Sequence, residues 1–223
     1  MGVARAEQLL GHPKGRAVLM TRRNSQGVTL VELMVTLAIV AMLVLAALPS
    51  FSLAFVNSRI RSTGEALLTG LQLAKSEAVS RNARVRFQLT TTLDAACAPS
   101  ANGVNWVVNM DPNANADEVT GLCDSAPNDQ VAPFILQTRP AAAGSGASTQ
   151  VAASQASLVF NGLGRLADIP PGNVTINITN PTGGACIANG GEVSCLRIVI
   201  STLGQARMCN PDPGLPANDP RRC

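Results

Sequence analysis

The chain has 223 residues, 46% of them apolar, 14% charged and 3% aromatic, with no Tyr. That length allows one ordinary domain plus an appendage. Few charges and many aliphatics exclude a disordered chain, and a single apolar run long enough to span excludes a polytopic membrane protein. The net charge of +3 is concentrated at the front. Residues 1–27 hold Arg5, Lys14, Arg16, Arg22 and Arg23 against Glu7, so the remainder is close to neutral. Bulk charge therefore gives no argument for nucleic-acid binding by the body. The single imidazole, His12, lies in the same front segment, and Lys75 is the only lysine beyond it. Without that segment the chain has no Ser-His or Cys-His pair and no His ligand for zinc. No catalytic residue, metal site or cofactor is predicted, and the chain is read as not an enzyme.

Residues 28–56 (VTLVELMVTLAIVAMLVLAALPSFSLAFV) carry one charge, Glu32. From Leu33 to Val56 an uncharged helix would run roughly 36 Å at 1.5 Å per residue, enough to cross a hydrocarbon core of about 30 Å. Arg22 and Arg23 precede it, so the positive-inside rule keeps the N-terminus cytoplasmic and places the body outside. The run is too long for the apolar region of an ordinary secretory signal. A carboxylate at the edge of an apolar span costs several kcal/mol unless it is paired, and the free amine of a neighbouring chain would pair Glu32.

Gly27 followed by Val28-Thr29-Leu30-Val31-Glu32-Leu33 resembles the prepilin cleavage motif of type IV pilins and type II secretion pseudopilins. The resemblance implies cleavage after Gly27 by a prepilin peptidase, N-methylation of Val28 and an assembly carboxylate at Glu32. It also implies that Pro49 is the helix-kinking proline. The family's usual first mature residue is Phe, and here it is Val. The implied partners are the prepilin peptidase, the inner membrane, and other major and minor pilins met through the N-terminal helix. The implied localisation is a single-pass inner-membrane protein with a periplasmic C-terminal domain, at the cell-surface pilus after assembly.

Residues 57–82 place Ile60, Leu67, Leu71, Ala74 and Ala78 on one helical face, widened by Leu68. Arg61, Glu65, Gln72 and Ser76 lie opposite. Gly64 and Gly70 weaken this helix by about 1 kcal/mol each relative to Ala. After Asn82 the period becomes alternating. Strands are predicted at 84–90, 105–110, 133–138, 157–161, 173–179 and 196–202, separated by Gly, Pro and Asn. Residues 139–156 (RPAAAGSGASTQVAASQA) read as a flexible surface loop. One long helix followed by strands defines an α+β protein with a mainly antiparallel sheet; the resemblance makes this the type IV pilin fold. The predicted divisions are a cleaved leader (1–27), a membrane and filament-packing half-helix (28–56), an amphipathic half-helix (57–82), a β-sheet domain (83–203) and a C-terminal tail (204–223).

Six Cys at 97, 123, 186, 195, 209 and 223 fit an oxidising compartment. Many pairings are possible, and proximity alone prefers Cys97–Cys123, Cys186–Cys195 and Cys209–Cys223. No C-x-x-C pair occurs, which weakens zinc and thioredoxin-like readings.

Leu71 to Ala78 (LQLAKSEA) resembles the "L-x-x-A-R-S-E-A" helix end of the FimT/GspH branch of minor pilins and pseudopilins, with Lys75 in the Arg place. Ile198 to Cys209 (IVISTLGQARMC) resembles that branch's ending, a Gly-Arg-x-Arg-x-Cys pattern. Gly204, Arg207 and Cys209 match it, and Gln205 replaces the first Arg. In some members an arginine-bearing tail binds DNA during natural transformation. The resemblance therefore makes Arg207, Arg221 and Arg222 candidate contacts for double-stranded DNA, although Asp212 and Asp219 oppose their charge. Arg59, Arg61, Arg81, Arg84 and Arg86 form a second cationic group, read as solvated or filament-packing. Two roles follow: a minor pilin for pilus initiation with DNA capture, or a GspH-like pseudopilin of a type II secretion system.

Asp111 to Glu118 starts like an EF-hand loop, but Ala116 stands at the sixth position and Leu122 at the twelfth, so a polar turn is expected. Asn173 and Asn177 match the N-glycosylation pattern, which strand alternation explains better. Trp106 is expected in the core.

Overall fold

The computed structural model describes residues 27–112, 118–140, 148–168 and 171–223, without the side chains of 46–50. The predicted leader lies outside the described residues, apart from Gly27. The chain divides into two units, residues 1–45 and 46–223. Helix α1, Leu30–Arg81, begins in the first and ends in the second.

In the first unit Thr29 caps the helix. Its Oγ1 accepts the Glu32 N–H at 3.2 Å, and its carbonyl accepts the Leu33 N–H at 3.1 Å. Thr29 and Glu32 thus hold the N-cap and N3 positions, the spacing of a capping box. A carboxylate at N3 also sits well against the positive end of the helix dipole. Glu32 therefore has a local role besides the predicted one. From Val28 to Leu45 every large apolar side chain is more than half exposed. Among the described residues no helix is long and apolar enough to cross a membrane. The apolar run predicted to span continues through 46–50, whose side chains, including that of Pro49, lie outside the described residues.

In the second unit α1 is followed by eight strands in two antiparallel sheets, where one sheet was expected. The strands are β1 Val85–Thr90, β2 Asn105–Met110, β3 Ile135–Arg139, β4 Gln150–Ala153, β5 Ser157–Phe160, β6 Val174–Thr179, β7 Leu196–Ile200 and β8 Ala206–Cys209. The first sheet is ordered β3-β2-β1-β5, the second β4-β6-β7-β8. Two strands depart from the sequence reading. β4 lies inside the stretch predicted as a flexible loop, and β8 lies inside the predicted tail. Both are short, and their pairing with β6 and β7 supplies what local propensity does not. β3 starts at Ile135 because Phe134 adopts a left-handed φ of 55°.

The predicted helical face is the core. Ile60, Leu67, Leu71, Ala74 and Ala78 are buried with Phe87 and Trp106 of the first sheet and with Ile176, Ile178, Ile198 and Ile200 of the second. One helix face thus packs both sheets. Its two glycines are points of close approach. A Cβ on Gly70 would stand 2.8 Å from ring atoms of both Phe87 and Trp106. On Gly64 it would meet Met208 Sδ at 2.8 Å and Ile178 Cδ1 at 3.2 Å, the ends of adaptable side chains. Gly70→Ala is expected to destabilise by about 1 kcal/mol or more, overpacking outweighing the gain in helix propensity. Gly64→Ala is expected to be near neutral. Urea midpoints of the two variants check this.

The outer face of the first sheet is covered as well. Val107, Val119 and Ile135 form a second cluster with the disulfide Cys97–Cys123, and Leu93 packs on it. All six residues of β1 are consequently buried. For Arg86 and Arg84 this corrects the reading of the second cationic group as solvated or filament-packing. The Arg86 side chain is only 5% exposed, and its Nη2 lies 2.6 Å from Asp111 Oδ1, itself on a side chain 1% exposed. Arg84 Nη2 reaches Asp111 Oδ2 at 2.9 Å. Asp111 is thus the shared anion of two arginines, and residues 113–117 of the predicted polar turn lie outside the described residues. Arg59 and Arg61 remain exposed; Arg81 pairs with Glu77 at 2.7 Å and Asp129 at 2.6 Å, which hold its guanidinium pKa above the ordinary value.

Candidate functional site

Two places carry the residues singled out in the sequence. The first is the start of α1. Gly27 and Val28 are exposed and precede the Thr29 cap. A Cβ on Gly27 would meet no atom within 4 Å among the described residues, so the space beside it is open.

The second is the β7–β8 hairpin with the C-terminal tail. Its turn is built from Ser201 to Gln205. The Gly204 N–H donates to the Ser201 carbonyl at 2.8 Å, the Ser201 N–H to the Gln205 carbonyl at 2.9 Å, and the Gln205 N–H to Ser201 Oγ at 3.2 Å. Gly204 takes φ of 75°, and its position faces the Gly164 carbonyl too closely for a side chain. The turn places β8 at the edge of its sheet. Along β8, Met208 packs against the core, Arg207 is exposed, and Cys209 is buried in a bridge to Cys223.

That bridge closes a loop over Asn210 to Arg222. The Asn210 N–H donates to the Arg221 carbonyl at 2.6 Å, and the Cys223 N–H donates to the Asn210 carbonyl at 3.1 Å. The three tail arginines have different surroundings. Arg221 makes a two-point pair with Asp219, at 3.0 Å from Nε and 2.7 Å from Nη2. This pairing and the Arg221 N–H hold the Asp219 carboxyl down at about 2. Arg222 is half-buried and donates from Nη1 to the Leu215 carbonyl at 3.2 Å. Arg207 donates from Nη1 to the Arg222 carbonyl at 3.3 Å and has no carboxylate partner among the described residues. The loop therefore gathers the three predicted arginines but occupies Arg221 and Arg222 in its own closure.

A cleft of about 440 Å³ opens between the end of α1 and this hairpin. Its cationic lining residues are Lys75 and Arg207, and among the described residues no carboxylate lines it. Lys75 Nζ donates to the Gly204 carbonyl at 3.1 Å, which fixes the helix end to the turn. Nothing in the sequence joins these two residues, which are 129 positions apart. The bridge Cys186–Cys195 closes the loop before β7. Among the described residues no group of His, Cys, Asp and Glu could hold a metal ion.

A long helix opened by a capped, glycine-preceded Glu32 and packed on antiparallel sheets defines a type IV pilin-like subunit. Residues 22–48 match the prokaryotic N-terminal methylation motif, which implies processing by a prepilin peptidase and assembly with other pilins. Residues 63–204 match the family described as Type II transport protein GspH, and the chain belongs to that family. No curated protein matches the chain. Among solved structures, the type IV minor pilin FimU of Pseudomonas aeruginosa (strain PAO1) is similar in two crystal forms. One is 19% identical, with a TM-score of 0.45 over 68% of this chain and 88% of that one. The other is also 19% identical, with a TM-score of 0.42 over 66% and 90%.

Proposed function

We propose that the chain is a minor type IV pilin, a low-abundance structural subunit that starts or joins a filament and captures double-stranded DNA. It is cleaved after Gly27 and methylated at Val28. The segment 28–56 holds it in the inner membrane with the domain in the periplasm, and then packs in the filament core at the cell surface. The observation that carries this reading is the start of α1. An apolar helix with its side chains outward is preceded by an exposed glycine with open space beside it, and it bears one carboxylate one turn in. An exposed glycine just before the helix is accessible to a peptidase. Outward apolar side chains need lipid or neighbouring helices to cover them.

Gly27→Ala is expected to leave full-length precursor in the membrane fraction, seen as a slower band on immunoblots; normal processing would remove the assignment. Glu32→Gln isolates the second role, because Gln at N3 still fits a capping box and loses only the charge. This variant should be processed and folded but absent from sheared filaments.

A second reading, a GspH-like pseudopilin of a type II secretion system, is favoured by the family match over 63–204. Deleting the gene separates the two. Loss of surface pili and DNA uptake supports the pilin, and loss of secreted enzymes with intact pili supports the pseudopilin.

A further inference from the structure

We propose that a cleft along the free edge of β4 is a docking site for a short extended segment of a partner protein, uncharged where it meets the cleft. The proposal is independent of the DNA reading. β4 is the outermost strand of its sheet, so one of its edges faces no strand. Two hydrogen bonds fix the direction of its main-chain groups. The Ser154 N–H donates to the Thr175 carbonyl at 2.9 Å, which turns the main-chain groups of Gln150, Ala152 and Ser154 toward β6. The Ala153 N–H donates the other way, to the Ala101 carbonyl at 2.8 Å. Val151 therefore turns its N–H and carbonyl to the free edge. Among the described residues neither meets a backbone partner there. An unpaired strand edge is a template for a further strand, and main-chain bonding of this kind is a recurring mode of peptide recognition.

A cleft of about 620 Å³ lies beside that edge, within the range of about 300–1,000 Å³ usual for ligand sites. Its other wall is the β1–β2 connection, residues 91–104, and that wall is braced. The Ser100 N–H donates to the Leu89 carbonyl at 2.9 Å, and Gly103 stands too close to the Thr90 carbonyl for any side chain. Thr91, Ser100 and Asn102 line this side, and Thr149, Gln150 and Thr179 the other. Among the described residues no charged or aromatic side chain lines the cleft. Thr149 is 3% exposed, and its Oγ1 has no hydrogen-bond partner among the described residues. A buried hydroxyl left unpaired costs free energy that a ligand amide would recover. Hydroxyls and amides match the N–H and carbonyl groups of a peptide. A charged side chain would enter without a counter-ion, which is costly, so the lining selects against acidic and basic segments. Without a cation for phosphate or a ring for base stacking, the cleft does not suit nucleic acid.

The test uses the full chain in neutral detergent and, as probe, a random heptapeptide library displayed on phage. Enriched sequences are synthesised and titrated by fluorescence anisotropy. They are expected to be depleted of Asp, Glu, Lys and Arg, and to bind with little dependence on salt. Hydrogen exchange at the Val151 amide should slow when such a peptide is added. Gln150→Lys and Ala152→Lys, both at exposed positions, put a charge into the neutral cleft and should each weaken binding about tenfold. Thr149→Val removes the unpaired hydroxyl and keeps the shape. It should weaken binding several-fold with Tm unchanged or raised, a combination that misfolding cannot produce. A library that yields no peptide would overturn the proposal. Peptides that bind both lysine variants equally and leave Val151 exchange unchanged would also overturn it. So would a glycan array in which a neutral oligosaccharide binds and Gln150→Lys abolishes that binding, since the cleft would then take sugars.

Discussion

Replacing Asp111 by alanine is expected to lower the stability of the sheet domain by about 3–5 kcal/mol. The carboxylate is almost fully buried and is shared by Arg86 and Arg84 at 2.6 and 2.9 Å. Its removal takes a close, buried anion from the Arg86 guanidinium, and truncating one partner of a buried pair costs more than the modest worth of the pair. Asp168 supplies the contrast. It lies 3.6 Å from Arg84 and is well exposed, so Asp168→Ala should shift stability by less than about 1 kcal/mol. Adding Arg86→Met to Asp111→Ala should recover part of the loss, because the buried charge that Asp111 faced goes with the arginine. Urea unfolding of the three variants checks this; equal losses for Asp111→Ala and Asp168→Ala would mean that the buried pair does not anchor β1.

Trp106→Ala is expected to cost about 3–5 kcal/mol, the range for removing a large buried aromatic. Trp106 is 1% exposed and packs beside Phe87 at 5.9 Å between ring centroids, under the bare backbone of Gly70. Its indole Nε1 is buried without a hydrogen-bond partner among the described residues. Trp106→Phe should therefore cost much less than Trp106→Ala. It keeps an aromatic ring under the helix and removes a donor whose desolvation is uncompensated. It should also reduce the penalty of Gly70→Ala, since the atoms facing the added methyl belong partly to the indole. A double-mutant cycle of positions 70 and 106 measures that coupling. Equal costs for the Phe and Ala variants would mean that a water or another group satisfies the indole.

These two sites show where the sequence is readable. The core face of α1 is legible because helical period alone aligns Ile60 with Ala78. β1, β2, β5, β6 and β7 are legible because their alternation faces that helix. Arg86 misleads for a physical reason. Alternation places it on the polar face of β1, but that face is not solvated, because the loop bridged by Cys97–Cys123 folds over the sheet. The division into two sheets depends on pairings between distant strands, which composition does not record. At the candidate site, the sequence offers Arg207, Arg221 and Arg222 as equals. Their difference arises from Asp219 and from the Leu215 carbonyl, both fixed by the folded loop. Lys75 was visible only as a motif residue, and its place beside Arg207 depends on the hairpin turning back to the helix.

Ile60 to Ala78 belong to the long helix and to the protein core at once, which has a mechanical consequence. Within the second unit, tension along α1 arrives directly at the core. It enters as shear along a face interlocked with both sheets, from Phe87 on one side to Ile198 on the other. Slippage would have to break many contacts together rather than peel them one by one. The three disulfides close peripheral loops and none joins the helix to a sheet. Resistance to pulling therefore resides in side-chain interdigitation, and reducing the bridges should loosen the loops while leaving most of the grip on the helix.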